Sequence, residues 1–176
     1  MNKSKCYLLI VWLIGVHVKS FSQIVSQKSI RNLIYLEVFG AGGYGSLNYE
    51  RIIFQQKQKL PPNLKVDVRM GISTFHLKDF NNTFNPDIII PVSINAMYGK
   101  THHIEIGFGQ TISNVTQTNS STFAIERKTM LNSNLTTGYR YQKSERGVIF
   151  RLNYSPIISS NKVYNSWFGL SIGYGF

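Results

Sequence analysis

The sequence predicts an all-β protein, an eight-stranded antiparallel up-and-down transmembrane β-barrel. Apolar residues alternate with small or polar residues along eight segments of about ten residues, which is the period and length of a tilted membrane strand. Short turns alternate with longer connections, as they do in barrels that span a membrane. The last segment, from Ser166 to Phe176, alternates strongly and ends on an aromatic residue.

The N-terminus is typical of an export signal. Two lysines precede an apolar run from Cys6 to Val18, and Ser20 and Ser22 supply small residues at the positions that a signal peptidase reads. We therefore predict a cleaved signal peptide over 1–22 and a barrel domain over 23–176. An uncleaved anchor is the alternative, which the shortness of the apolar run disfavours.

Cleavage changes the composition of the chain. The single cysteine leaves with the leader, which excludes disulfides, thiolate zinc sites and cysteine enzymes. Three lysines leave as well, so the net charge falls from +11 to +8, with 16 basic and 8 acidic residues remaining. In an exported protein we interpret this excess as a fit to anionic outer-membrane lipid and lipopolysaccharide, not to nucleic acid.

Each predicted strand has an apolar face. The strands run from Leu33 to Ala41, Gly45 to Phe54, Leu64 to Phe75, Asp87 to Tyr98, Thr101 to Ser113, Met130 to Gln142, Arg146 to Ile158 and Ser166 to Phe176. Their apolar faces carry, in that order, Ile34, Leu36 and Val38; Leu47, Tyr49 and Ile53; Val66, Val68, Met70 and Ile72; Ile90, Val92, Ile94 and Tyr98; Ile104, Ile106 and Phe108; Leu131, Leu135, Tyr139 and Tyr141; Val148, Phe150, Leu152 and Tyr154; and Phe168, Leu170, Ile172, Tyr174 and Phe176.

Some local features modify this pattern. In the first strand Phe39 shares the opposite face with Tyr35 and Glu37. Pro91 interrupts the fourth strand, and we expect a β-bulge there because proline cannot donate to a ladder. The glycine-rich stretch from Gly40 to Gly45 predicts a tight hairpin, since no helix follows it to form a phosphate-binding loop.

The longer connections are His76 to Pro86, Asn114 to Lys128 and Ser159 to Asn165. The polar connection from Asn114 to Lys128 is the candidate for contact with an unidentified extracellular ligand. The alternative is a solvated loop without a partner.

Charged residues from several strands share the face opposite the apolar one. An eight-stranded barrel has room inside only for side chains, and buried charges must pair. We predict a structural charge network that plugs the lumen, with a proton or ion path as the alternative. Its members are Glu37, Glu50, Asp67, Arg69, Glu105, Arg140 and Arg151.

Four motifs carry a resemblance to a known family. They are L-E-V-F-G-A-G-G-Y-G-S-L-N-Y-E-R at Leu36 to Arg51, I-P-V-S-I-N-A-M-Y-G-K at Ile90 to Lys100, G-Y-R-Y-Q at Gly138 to Gln142, and the terminal G-Y-G-F. With these motifs and its leader the chain resembles the small eight-stranded outer-membrane β-barrels of Gram-negative bacteria.

The resemblance implies a location in the outer membrane. It also implies that the final strand is a signal read by the barrel-assembly machinery, with Tyr174 and Phe176 at its aromatic positions. Ser171 stands where the family pattern has glycine. The resemblance implies little about activity, because such barrels host many functions.

We expect a monomeric barrel with a structural or surface-interaction role, no enzymatic activity and no cofactor. One alternative is a porin-like, narrow transport path for a small solute. Another is a lipid-modifying enzyme that uses His103, Glu105 and Ser93. The architectural rival is a soluble β-sandwich, which the sequence leaves open.

Overall fold

The described residues form ten strands, and eight of these make up the wall of a closed barrel. The computed structural model describes residues 30–56, 64–79, 81–118, 124–143, 145–159, 163–164 and 167–176. The strands are β1 (Asn32–Phe39), β2 (Gly45–Gln55), β3 (Leu64–Ser73), β4 (Ile88–Gly99), β5 (His102–Thr118), β6 (Ile125–Gln142), β7 (Gly147–Tyr154), β8 (Ile157–Ile158), β9 (Val163–Tyr164) and β10 (Phe168–Gly175). The predicted signal peptide, 1–22, lies outside the described residues.

The wall is antiparallel throughout. Strands β1 to β7 pair in chain order, β7 pairs with β10, and β10 pairs with β1. At the seam the Phe176 N–H donates to the Asn32 carbonyl at 2.8 Å, and the Asn32 N–H donates to the Phe176 carbonyl at 3.1 Å. The predicted fold class, an all-β barrel of eight antiparallel strands, is confirmed.

The two ends of the barrel differ. The terminal end holds the start of β1, the end of β10 and the β2–β3, β4–β5 and β6–β7 connections. The loop end holds the other four connections. None of the described residues belongs to a helix long and apolar enough to cross a membrane.

The wall separates two kinds of side chain, as the alternation predicts. Leu36 is 58% exposed on the outside, whereas its neighbour Glu37 is 1% exposed inside. Phe39 is an exception to the predicted faces. It adopts a φ of 60°, which turns its ring outward to 47% exposure instead of inward beside Tyr35.

The expected β-bulge at Pro91 is wrong. The β3–β4 pairing keeps one register across the proline, with Met70 opposite Val92 and Ser73 opposite Ile89. No residues of β3 and β4 are paired between these two pairs. The absence of a proline N–H donor is therefore accommodated without a shift of register. A register shift occurs instead in β2, next to Ile53, a position that the sequence did not indicate.

The segment 114–128, predicted to be a polar loop, is mostly strand. Strands β5 and β6 stay paired out to Thr118 opposite Ile125, so only a short connection remains between them. The paired part of this segment includes Val115 and Thr116. Their branched side chains favour strands even where the overall composition is polar. The β5–β6 hairpin therefore extends beyond its pairing with the neighbouring wall strands β4 and β7.

The β3–β4 connection folds into a small lobe, which we define as residues 74–87. Asp79 organises its tip, because its carboxylate accepts from the Thr83 hydroxyl at 2.5 Å and from the Asn81 N–H at 2.9 Å. The hydrogen bond from Thr83 lowers the pKa of Asp79. Asp87 ties the lobe to the β5–β6 extension by accepting from the Thr116 N–H at 2.9 Å.

The predicted seventh strand, from Arg146 to Ile158, is divided. It forms β7 and β8, separated by Ser155 and Pro156. The Ser155 N–H donates to the Trp167 carbonyl at 2.8 Å, which extends the β7–β10 pairing by one residue beyond Tyr154 and Phe168. Beyond the proline, β8 continues to pair with β6.

Candidate functional site

All seven predicted lumen charges lie inside the barrel. They come from β1, β2, β3, β5, β6 and β7 and are each at most 1% exposed. The structure joins them into two ion-pair clusters.

The larger cluster is centred on Arg140. Its two terminal nitrogens donate to the Glu50 carboxylate at 2.5 and 2.8 Å, and its Nε donates to Glu105 at 2.8 Å. Arg151 binds the other oxygen of Glu105 and donates to the Tyr35 hydroxyl at 2.7 Å. Such bidentate, charge-assisted pairs are the strong form of the interaction.

Asp67 is at the edge of this cluster. Its Oδ2 lies 3.9 Å from Arg140 Nη1, and its Oδ1 accepts from Asn95 at 2.6 Å.

The smaller cluster joins Arg69 to Glu37 through both terminal nitrogens. The Arg69 Nε donates to Asn48 at 3.0 Å, and Asn153 donates to Glu37 at 3.3 Å. The Tyr35 ring lies between the clusters, 5.7 Å from both the Arg69 and the Arg151 guanidinium carbons. These distances permit cation–π contact on the ring.

Sequence reasoning missed several members of this site. Tyr35, Asn48 and Asn153 complete the hydrogen bonds of the arginines and Glu37. Lys65, 3% exposed, adds a fourth interior cation, so that four cations accompany the four acids. The sequence pattern could have identified Lys65, because it is two residues from Asp67 on β3 and therefore faces the same side.

The terminal end of the lumen holds an apolar cluster, next to the buried side chains of Lys65, His103 and Gln142. Ile30, Leu33, Ile52, Met97 and Ile149 are each at most 4% exposed and form one cluster with Tyr35. The sequence pattern places these aliphatic residues on the inward face. The prediction for that face considered only its charged residues, so this apolar cluster was not predicted.

The loop end of the lumen is closed by backbone. The predicted hairpin after β1 is a 3-10 turn over Gly40–Gly42, and its residues are buried. Thr111 donates to the Ala41 carbonyl at 2.9 Å, and the Trp167 indole donates to the Gly40 carbonyl at 2.5 Å. Gly40 has a φ of +72°, and a Cβ there would lie 2.6 Å from the Glu37 carboxyl carbon. The turn therefore rests directly on the charge network.

Within the described part of the chain, no hydrogen bond joins His103, Glu105 and Ser93, the residues of the enzymatic alternative, to one another. Arginines hold both oxygens of Glu105, and His103 Nε2 lies 3.3 Å from the Gln142 carbonyl. Ser93 Oγ has no hydrogen-bond partner among the described residues. Nor do the described residues contain three His, Cys, Asp or Glu side chains placed to hold a metal ion.

The proposed assembly residues lie on the outside of the last strand. Tyr174 is 51% exposed and Phe176 43% exposed. Both follow Phe168, Leu170 and Ile172 along one apolar face.

Fold and interior together define the class of small, closed antiparallel barrels with a filled, charged lumen. A solved β-barrel has a similar fold: the N-terminal β-barrel domain of OprF from Pseudomonas aeruginosa, with a TM-score of 0.54 and 17% identity over 85% of this chain and 98% of that one. At this identity the likeness concerns the fold. No protein-family model and no curated protein matches the sequence.

Proposed function

We propose that this protein is an outer-membrane β-barrel with a structural and surface-interaction role. It is exported through the signal peptide over 1–22, inserted by the barrel-assembly machinery and surrounded by lipid and lipopolysaccharide. It acts as a monomer without enzymatic turnover, and its loop end meets an extracellular ligand that is not yet identified.

The observation that carries the proposed role is the filling of the lumen at three levels. An apolar cluster lies at the terminal end, the ion pairs lie in the middle, and the turn over Gly40–Gly42 lies at the loop end. Such an interior supports a rigid scaffold rather than a channel for solutes.

The outer surface supports the membrane location. Aliphatic side chains such as Leu36, Ile106 and Leu152 are more than half exposed along the wall. Aromatic residues lie toward both ends, including Tyr98 and Tyr174 at the terminal end and Tyr44 at the loop end. This arrangement is typical of the apolar band and aromatic girdles of membrane barrels.

Fractionation tests the location and the closed fold together. We expect the protein in the outer-membrane fraction, where an unboiled sample migrates differently from a boiled sample on a gel. A protein recovered in the soluble fraction without this shift would contradict the proposal.

Conductance tests the plugged lumen. Purified wild-type protein in a planar bilayer should show no steady conductance above that of the lipid alone. A heat-modifiable porin purified in the same detergent is the control for insertion. A regular single-channel current from the wild-type protein would favour the transport alternative.

A further inference from the structure

An apolar groove lies on the outer wall near the loop end. It has a volume of about 570 Å³, and its floor is formed by β1, β2 and β3. Outward side chains line it, chiefly Leu36, Val38, Leu47 and Ile72, together with Leu77 of the lobe. Residues of the inward face, Glu37, Ser46 and Ser73, also contribute to its lining.

The lobe distinguishes this groove from the rest of the wall. Leu77 and Pro86, which flank the tip of the lobe, line it together with Leu36 and Val38 of β1. β1 lies two strands from β3, a separation of about 10 Å. The lobe therefore leans over the wall and borders one side of a groove that otherwise stays open to the outside.

Aromatic side chains fix the depth of the groove. The rings of Phe39, Tyr44 and Phe75 contact one another in a row at the loop end, with centroid distances of 6.4 and 5.2 Å. Val38 and Ile72 lie one and three residues from this row, hence within about 10 Å at the usual strand rise. If aromatic girdles mark the membrane interface, the strand residues on the floor of the groove lie just on its hydrocarbon side.

We propose that the groove holds one acyl chain of an outer-leaflet lipid as a resident ligand. This inference rests on the membrane location proposed above. At that depth the neighbouring molecules are lipid chains, and an apolar groove left empty would forfeit dispersion contacts on its lining. The additional contacts with Leu77 and Pro86 distinguish the bound chain from lipid that touches the wall strands alone.

Native mass spectrometry of the full folded chain tests the proposal, in micelles doped with dipalmitoyl phosphatidylglycerol. Leu36→Trp fills the groove, and Ile172→Trp is the matched control, because Ile172 lies directly opposite Leu36 on β10 at the same depth outside the groove. We expect wild type and the Ile172→Trp variant to retain a single lipid and the Leu36→Trp variant to lose it.

Leu77→Ser provides a second variant outside the barrel wall and should also lose the lipid. Equal lipid retention by all four proteins, or none by the wild type, would overturn the inference. The gel shift separates the two proposals: a heat-modifiable outer-membrane protein without bound lipid refutes only the groove, whereas a soluble protein refutes both.

Discussion

At the residue scale, the interior charges are fixed by one another. Arg140 donates hydrogen bonds to two carboxylates and lies 3.9 Å from a third, and Glu105 accepts from two arginines. Each of these groups is removed from water, and desolvation is offset only while its partners remain. Removing one arginine therefore leaves carboxylates that are buried away from water and lack a cationic partner.

Arg140→Met should lower the free energy of unfolding by about 3–5 kcal/mol, because it leaves Glu50 and Glu105 short of a cation in the interior. Urea unfolding in micelles measures the change. Arg51→Met is the control, since Arg51 is exposed, and should stay within about 0.5 kcal/mol of wild type. The double variant Arg140→Met, Glu50→Gln should be more stable than Arg140→Met alone, because it no longer carries the unpaired Glu50 carboxylate. If the losses of the two single variants simply added, Arg140 and Glu50 would not be energetically coupled.

Gly71→Ala should destabilise the barrel by about 1–3 kcal/mol through overpacking. Its Cβ would lie 2.2 Å from the Asn48 amide oxygen, which accepts from Arg69, and 3.0 Å from the Pro91 ring. Gly45→Ala is the matched control, because the nearest atom to its Cβ is 3.9 Å away. Urea unfolding should give a lower free energy of unfolding for Gly71→Ala than for Gly45→Ala. Equal values for the two variants would show that Asn48 moves aside freely.

At the element scale, the turn after β1 is held by contacts from other elements. Its two anchors, Thr111 and Trp167, belong to β5 and to the segment before β10. Trp167 also packs edge-on against Phe39, with ring centroids 6.0 Å apart. The inward position of the turn therefore depends on the closure of the whole wall.

Trp167→Phe removes the indole donor but keeps an aromatic ring. One neutral hydrogen bond contributes about 0.5–1.5 kcal/mol, so hydrogen exchange at the Phe39 and Gly43 amides should become roughly two- to tenfold faster. Hydrogen exchange with mass spectrometry measures the rate. Tyr98→Phe at the terminal end is the control, and an unchanged rate in Trp167→Phe would show that the turn does not need this bond.

At the scale of the whole molecule, closure depends on the last strand. β10 pairs with β7 on one side and β1 on the other, and the Phe176 backbone completes the seam with Asn32. The outward Phe176 side chain takes no part in that hydrogen bonding. A loss of its ring should therefore affect recognition during assembly more than the stability of the finished barrel.

Phe176→Ala should reduce the folded protein in the outer membrane of cells and leave refolding of the purified chain into micelles close to wild type. The heat-dependent gel shift measures both. Phe168→Ala is the control, because Phe168 is on the same face of the same strand. If the two variants accumulate equally in cells, Phe176 has no special part in assembly.

The alternation of residues determined most of the fold. Each predicted strand corresponds to an observed one, and the charges at Glu37, Arg69 and Arg140 face inward as predicted. This succeeds because a strand has a side-chain period of two, so one face buried in the lumen fixes every other position. The predicted ends were less accurate, as in the long β5–β6 pair.

Only the tertiary structure decided which charges pair and how the lumen ends. Glu50 and Arg140 are 90 residues apart in the sequence, and their contact depends on the register and closure of all eight wall strands. The outward turn of Phe39 and the inward turn over Gly40–Gly42 likewise depend on Thr111 and Trp167. Sequence periodicity specifies the face of a strand, whereas contacts across the barrel arise only when the wall closes.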